Sequence, residues 1–324
     1  MVDSNRLKGH YHLPGLIIIV ACLALPAISP KEIGWLVGFI PLPVFYILVW
    51  LGKTAGTVLV RNAVLLSGGA VLLFGSIPLF IFSLTLVPIG FVFFRAAQDK
   101  LSPVRTCLQG ILLLGTACVL IWGLTGLLSH VNPYSTLVLT LSQGLEVQSQ
   151  MFAAADLPAE TLRELQFAVK ELQALLPAIL PAIVMSGILY TVWMNLALGN
   201  WLLRKKDPAL IPWQEFNRWQ LPDNLVWGVI IAGLALLFPA APLKAVGLNM
   251  LIILWALYVL QGLAVLIFLL NRWSTPTIIQ GIIYALIIMQ GYGILLSIVG
   301  LIDVWVDFRK LNKKEDPRER VSKN

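Results

Sequence analysis

Apolar residues along this chain run in blocks of about 20 residues, the length a helix needs to cross a hydrocarbon layer. Barrel strands would alternate apolar and polar residues with period two, and none of these blocks does. The pattern predicts nine hydrophobic helical segments: Leu13–Ile28, Ile33–Leu51, Thr57–Gly75, Ile77–Phe94, Thr106–Leu128, Leu176–Leu203, Leu225–Ala241, Ala245–Leu270 and Thr277–Val304. The expected fold is all-α, a polytopic transmembrane helical bundle of eight or nine crossings. One long hydrophilic stretch, residues 129–175, interrupts the series. Within it Asp156 can cap a helix with Pro158 and Glu160 in its first turn. Leu162, Leu165, Val169, Leu172 and Leu176 then recur at spacings of three and four. That stripe predicts an amphipathic helix that lies on the outer membrane surface or covers the mouth of the bundle. The chain thus divides into N-terminal membrane helices (1–128, segments 1–5), an external loop (129–175), C-terminal membrane helices (176–308, segments 6–9) and a basic tail (309–324).

Composition narrows the solvent. The 324 residues are 58% hydrophobic and 12% charged, about half the charge content of an ordinary soluble domain. A soluble fold, a disordered chain and a secreted disulfide scaffold are excluded. The net charge of +7 would point a soluble protein toward nucleic acid. Here the bases flank apolar runs, where they set orientation, so no nucleic-acid partner is read. Arg6 and Lys8, the loop with Arg95, Lys100 and Arg105, the run Arg204-Lys205-Lys206 and the tail from Arg309 all mark cytoplasmic sides. The 129–175 stretch is net acidic and suits the outside. Nine crossings would put the two termini on opposite faces. Leu225–Ala241, closed by Pro239 and Pro242, is the segment read as re-entrant. Eight crossings then keep both termini on the cytoplasmic side of a bacterial inner membrane. The N-terminal run looks like a signal peptide, but Pro30 directly follows Ala27-Ile28-Ser29 and obstructs cleavage, so it is read as an uncleaved helix.

Candidate chemistry is sparse. His10, His12 and His130 lie outside the segments, and Cys22, Cys107 and Cys118 lie inside them as small apolar groups. No zinc-protease, dithiol or nucleophile-elbow pattern occurs. Gly52-Lys53-Thr54 lacks the upstream glycine of a phosphate loop, and Gly291-Tyr292-Gly293 lacks the rest of a potassium filter. The chain is therefore read as no enzyme, with no metal and no cofactor. Gly34 with Gly38, and Gly52 with Gly56, have the spacing that lets helices approach closely. Pro41 and Pro43, and Pro177 and Pro181, remove backbone donors and bend their helices. Six uncharged polar residues fall at membrane depth: Gln109, Asn195, Asn249, Gln261, Gln280 and Gln290. Each either hydrogen-bonds a neighbouring helix or lines a small polar cavity. No Asp, Glu or Lys sits mid-segment, which argues against a proton relay or a sodium-coupled carrier. At the last segment's end, Asp303 and Asp307 share a face, Asp307 can pair with Lys310, and Trp305 and Phe308 sit at interfacial depth. This cluster anchors the helix end or docks a cytoplasmic partner.

The run Gly300-Leu301-Ile302-Asp303, followed by Asp307, Phe308 and Arg309, resembles the C-terminal signature of the YybS-like bacterial membrane proteins, domain of unknown function 2232. Phe216-Asn217-Arg218-Trp219-Gln220-Leu221-Pro222 and Gln261-Gly262-Leu263 agree with it, in the same order. The resemblance marks Phe216, Arg218, Trp219, Pro222, Gly300, Asp303, Asp307 and Arg309 as signature or partner-docking residues. The N-terminal half is distantly similar to the substrate-binding subunits of energy-coupling-factor transporters, which dock a partner through alanines four apart on the first helix. Here Ala21, Ala24 and Ala27 are three apart. Two functions follow as expectations. The first is a transporter-like membrane subunit binding a small molecule, with Gln109 and Asn195 lining its cavity. The alternative is a non-transporting scaffold that recruits cytoplasmic or membrane proteins through the Trp213–Pro222 loop and the basic tail. The lipid bilayer is a partner in both.

Overall fold

The computed structural model describes residues 4–155 and 157–310, so Asp156 and the tail beyond Lys310 lie outside the described residues. Those described are mainly helical, without strands. In chain order the helices are α1 (Ser4–Ile28), α2 (Pro30–Ile33), α3 (Pro41–Leu51), α4 (Lys53–Phe74), α5 (Ile77–Leu84), α6 (Val87–Gln98) and α7 (Pro103–Ser129). They continue with α8 (Pro133–Ala154), α9 (Ala159–Lys206), α10 (Leu225–Leu237), α11 (Ala241–Arg272), α12 (Thr277–Met289) and α13 (Gly293–Val306).

Among the described residues, five helical stretches are long and apolar enough to cross a membrane: Lys53–Phe74, Ile77–Gln98, Pro103–Ser129, Ala159–Lys206 and Ala241–Arg272. A sixth arises if His12–Ile28 and Pro30–Phe39, bent by 120° at Ser29, count as one broken span. Of the nine full-length segments expected from hydropathy, five or six are long enough to span by themselves among the described residues, because local backbone chemistry cuts the other apolar runs into shorter helices. Pro30 bars helix continuation through Ser29. The second segment splits into a 3-10 turn, Gly34–Phe39, and the 11-residue α3, which opens on Pro41. The ninth splits into α12 and α13 at Gly291, whose φ of +67° no helix accommodates. At 13 residues, α10 reaches only about 20 Å, short of a ~30 Å hydrocarbon layer.

The hydrophilic stretch differs more. It holds two helices, and the amphipathic one is the beginning of α9, continuous for 48 residues to Lys206. Pro158 stands at its N-cap position and Glu160 in its first turn. Pro177 and Pro181 sit inside α9 without ending it.

The chain forms two compact units, Met1–Ala174 with Gly187–Trp213, and Leu175–Ser186 with Gln214–Asn324. The first centres on Val44, Phe45, Leu48, Ile89 and Phe93, none more than 0% exposed. Phe45 meets Phe93 edge-on at 5.7 Å and Trp213 at 5.9 Å. Gly90 makes this packing achievable, since a Cβ there would come within 2.7 Å of Val44 Cβ. Ala24 and Ala27 of α1 pack against Val71 of α4. The expected glycine pairs behave unevenly: a Cβ on Gly34 or Gly38 would meet nothing within 4 Å, whereas one on Gly56 would press on Leu48.

The second unit is built on α11 and α13. Their backbones touch where Gly262 faces Leu296 and Gly300 faces the Tyr258 carbonyl, leaving no room for a Cβ on either glycine.

Candidate functional site

Two places concentrate the chemistry, one in each unit. In the second unit, α13 ends at Asp307, a non-glycine residue in the left-handed region (φ 46°, ψ 60°). Asp is among the few residue types that tolerate that conformation. The turn brings the next two residues back onto the helix. The Phe308 N–H donates to Asp303 Oδ1 at 3.1 Å, and Arg309 donates to Asp303 Oδ2 at 2.7 Å. The paired side chains are 0% and 1% exposed. The second terminal guanidinium nitrogen, Nη1, donates to the carbonyls of Asn217 and Trp219, at 2.9 and 2.6 Å. Gln261 of α11 closes the network: its amide donates to Asp303 Oδ2 at 3.2 Å and its carbonyl accepts from Leu221 N–H at 2.8 Å.

Three stretches far apart in sequence, Phe216–Pro222, Gln261-Gly262 and Gly300–Arg309, therefore meet in one buried clamp. Phe216 stacks on Trp219, with centroids 5.8 Å apart, while Arg218 and Pro222 face outward. Asp307 leaves the helix face that Asp303 occupies, and its carbonyl accepts from the Lys310 N–H. Breaking a buried ion pair costs about 3–5 kcal/mol, so this arrangement fixes a loop to a helix pair.

Asn195 and Asn249 share a different task. In the first unit, Asn195 Oδ1 accepts from Leu42 N–H at 3.0 Å while its Nδ2 donates to the Gly38 carbonyl at 2.6 Å. In the second, Asn249 Oδ1 accepts from Ala182 N–H at 2.9 Å and its Nδ2 donates to the Ala178 carbonyl at 2.7 Å. Both bridged pairs are four residues apart, the spacing of an ordinary helical hydrogen bond. Both have proline just before the donor, Pro41 and Pro181. A proline ring pushes on the carbonyl four residues back and opens the turn. The asparagine amide fills that opening and satisfies both orphaned groups. Gln280 donates to Asn271 Oδ1 and the Thr275 carbonyl beside the end of α11. Gln109 faces outward on α7, and Gln290 is exposed at the α12–α13 break.

The second place is a groove of about 820 Å³ in the first unit, formed by α1, the 3-10 turn, α3 and the last turn of α9. Its walls include Ile18, Cys22, Trp35, Leu42 and Tyr46, and its charged groups are Lys205 and Lys206. Neither Gln109 nor Asn195 lines it. Hydropathy gave no sign of this groove, and the two lysines read in sequence only as orientation signals. Trp213, at the head of the expected recruiting loop, is buried in this unit; its indole N–H donates to the Leu101 carbonyl at 2.7 Å, and its own carbonyl accepts from Arg204.

A family model described as a predicted membrane protein (DUF2232) matches residues 12–304. The chain belongs to that family. DUF2232 is a description without an assigned activity, so function rests on the geometry of this member. No curated protein and no solved structure matches the chain.

Proposed function

We propose that this DUF2232 protein is a ligand-binding subunit of the bacterial inner membrane that holds a small molecule in the groove of its first unit. The observation that carries the reading is the groove itself: 820 Å³ lies within the ~300–1,000 Å³ typical of small-molecule sites, and such sites are mostly apolar with a few placed polar groups. The transporter-like resemblance of the N-terminal half fits this role. The described walls offer apolar contact and two ammonium groups, which suits binding of a small molecule. Both termini lie on the cytoplasmic side in this proposal, with α10 among the short apolar helices that do not cross by themselves. The scaffold reading draws less support, since Trp213 is buried and the carbonyls of Asn217 and Trp219 are taken up by Arg309.

A thermal-unfolding screen of the detergent-solubilised protein against metabolites and lipids tests the proposal. At least one compound raises the midpoint saturably in the wild type and fails to do so in Ile18→Trp, which fills the groove. No shift with any compound, or equal shifts in both proteins, overturns it.

A further inference from the structure

Resting on that reading, we infer that the groove's occupant is an anionic phospholipid, its acyl chain along the apolar floor and its phosphate at Lys205 and Lys206. The geometry gives the groove a direction. Asn195 ties α9 to Gly38 and Leu42, and Lys206 lies eleven residues further along α9, about 16 Å at 1.5 Å per residue. One end of the groove therefore carries Phe39 and Leu42, and the other carries the two lysines. At the lysine end, Lys206 Nζ lies 5.3 Å from the Trp50 ring centre and Lys205 Nζ 5.5 Å from that of Trp201. Tryptophan and lysine at a span's end mark headgroup depth.

The other lining residues include Pro14, Ile18, Leu36, Pro43 and Ile47, and no acidic side chain is among the groove's described lining residues. Both lysines are exposed, and Ile18 is 51% exposed, so the groove opens to the side, where lipid enters without leaving the bilayer. An apolar channel ending in two ammonium groups complements one acyl chain and the anionic head of a phospholipid. A free phosphate would use only the lysines and leave the floor empty.

Native mass spectrometry of the purified full chain, released from mixed micelles containing phosphatidylglycerol or phosphatidylcholine, tests this. Phosphatidylglycerol is expected to be retained roughly thirtyfold more than phosphatidylcholine, from about one favourable charge contact at each of the two lysines. Lys205→Gln/Lys206→Gln brings it down to the phosphatidylcholine level, Ile18→Trp removes both lipids, and inorganic phosphate neither stabilises the wild type nor displaces lipid. Equal retention of the two lipids, with both lost in Ile18→Trp, overturns the anionic assignment but leaves the groove a binding site. Inorganic phosphate that stabilises as strongly as phosphatidylglycerol overturns the lipid in favour of the free anion. Lipid retention unchanged in Ile18→Trp overturns the groove as the place of binding, and the function proposed above with it. Monodisperse elution of each variant at the wild-type volume shows that it has folded.

Discussion

At the scale of single residues, the same repair occurs twice with different side chains around it. Asn195 and Asn249 each supply an amide where a proline has opened a helical turn, replacing one lost backbone bond with two side-chain bonds. Helices tolerate proline at membrane depth when neighbouring groups re-satisfy the freed backbone. Asn249→Leu should destabilise the protein by about 1–2 kcal/mol, measured by unfolding in mixed micelles. Adding Pro181→Ala should recover part of that loss, because the Ala182 N–H can then close onto the Ala178 carbonyl. A double variant that loses as much as the sum of its parts would contradict the repair. Arg309 presents the opposite case, a charge with no solvent. Arg309→Met should cost about 3–5 kcal/mol, since it leaves Asp303 buried and unpaired, and an effect below 1 kcal/mol would place the pair in water.

At the scale of elements, helix ends decide more than helix interiors. The last apolar run of the sequence carries hydropathy enough for one crossing, yet Gly291 divides it and Asp307 turns its end back on itself. Asp307→Val should lower the unfolding midpoint by several degrees because a β-branched residue resists the left-handed conformation, whereas Asp307→Gly should not. Gly262→Ala forces a Cβ against the Leu296 carbonyl and should cost about 1–3 kcal/mol by the same assay.

These features were legible to different degrees. The helical class followed from unbroken apolar runs, and the stripe from Leu162 to Leu176 marked a real helix. Its fusion with the following span was hidden because residues 129–175 are polar enough to read as a loop. The residues of the clamp were visible as three separate motifs; their meeting was not, because it depends on one left-handed backbone angle at Asp307.

At the scale of the molecule, missing charge is the most telling property. The 12% charged content makes the placement of the few charges conspicuous, and each compact unit uses its own differently. The second unit holds Asp303 and Arg309 in a buried clamp, while the first carries exposed Lys205 and Lys206 at the mouth of an apolar groove. Composition alone could not locate that groove, because four separate segments supply its walls and each reads as ordinary membrane-facing sequence.

Site-specific alkylation addresses the groove most directly. In a background with Cys22, Cys107 and Cys118 replaced by alanine, Trp35→Cys places one thiol on the groove wall and Leu72→Cys places one on the exposed face of α4. The labelling rate with a membrane-permeant maleimide is compared between delipidated protein and protein reloaded with phosphatidylglycerol. An occupied groove slows labelling at position 35 several-fold and leaves position 72 unchanged; equal rates at position 35 in both states would contradict a ligand-holding groove.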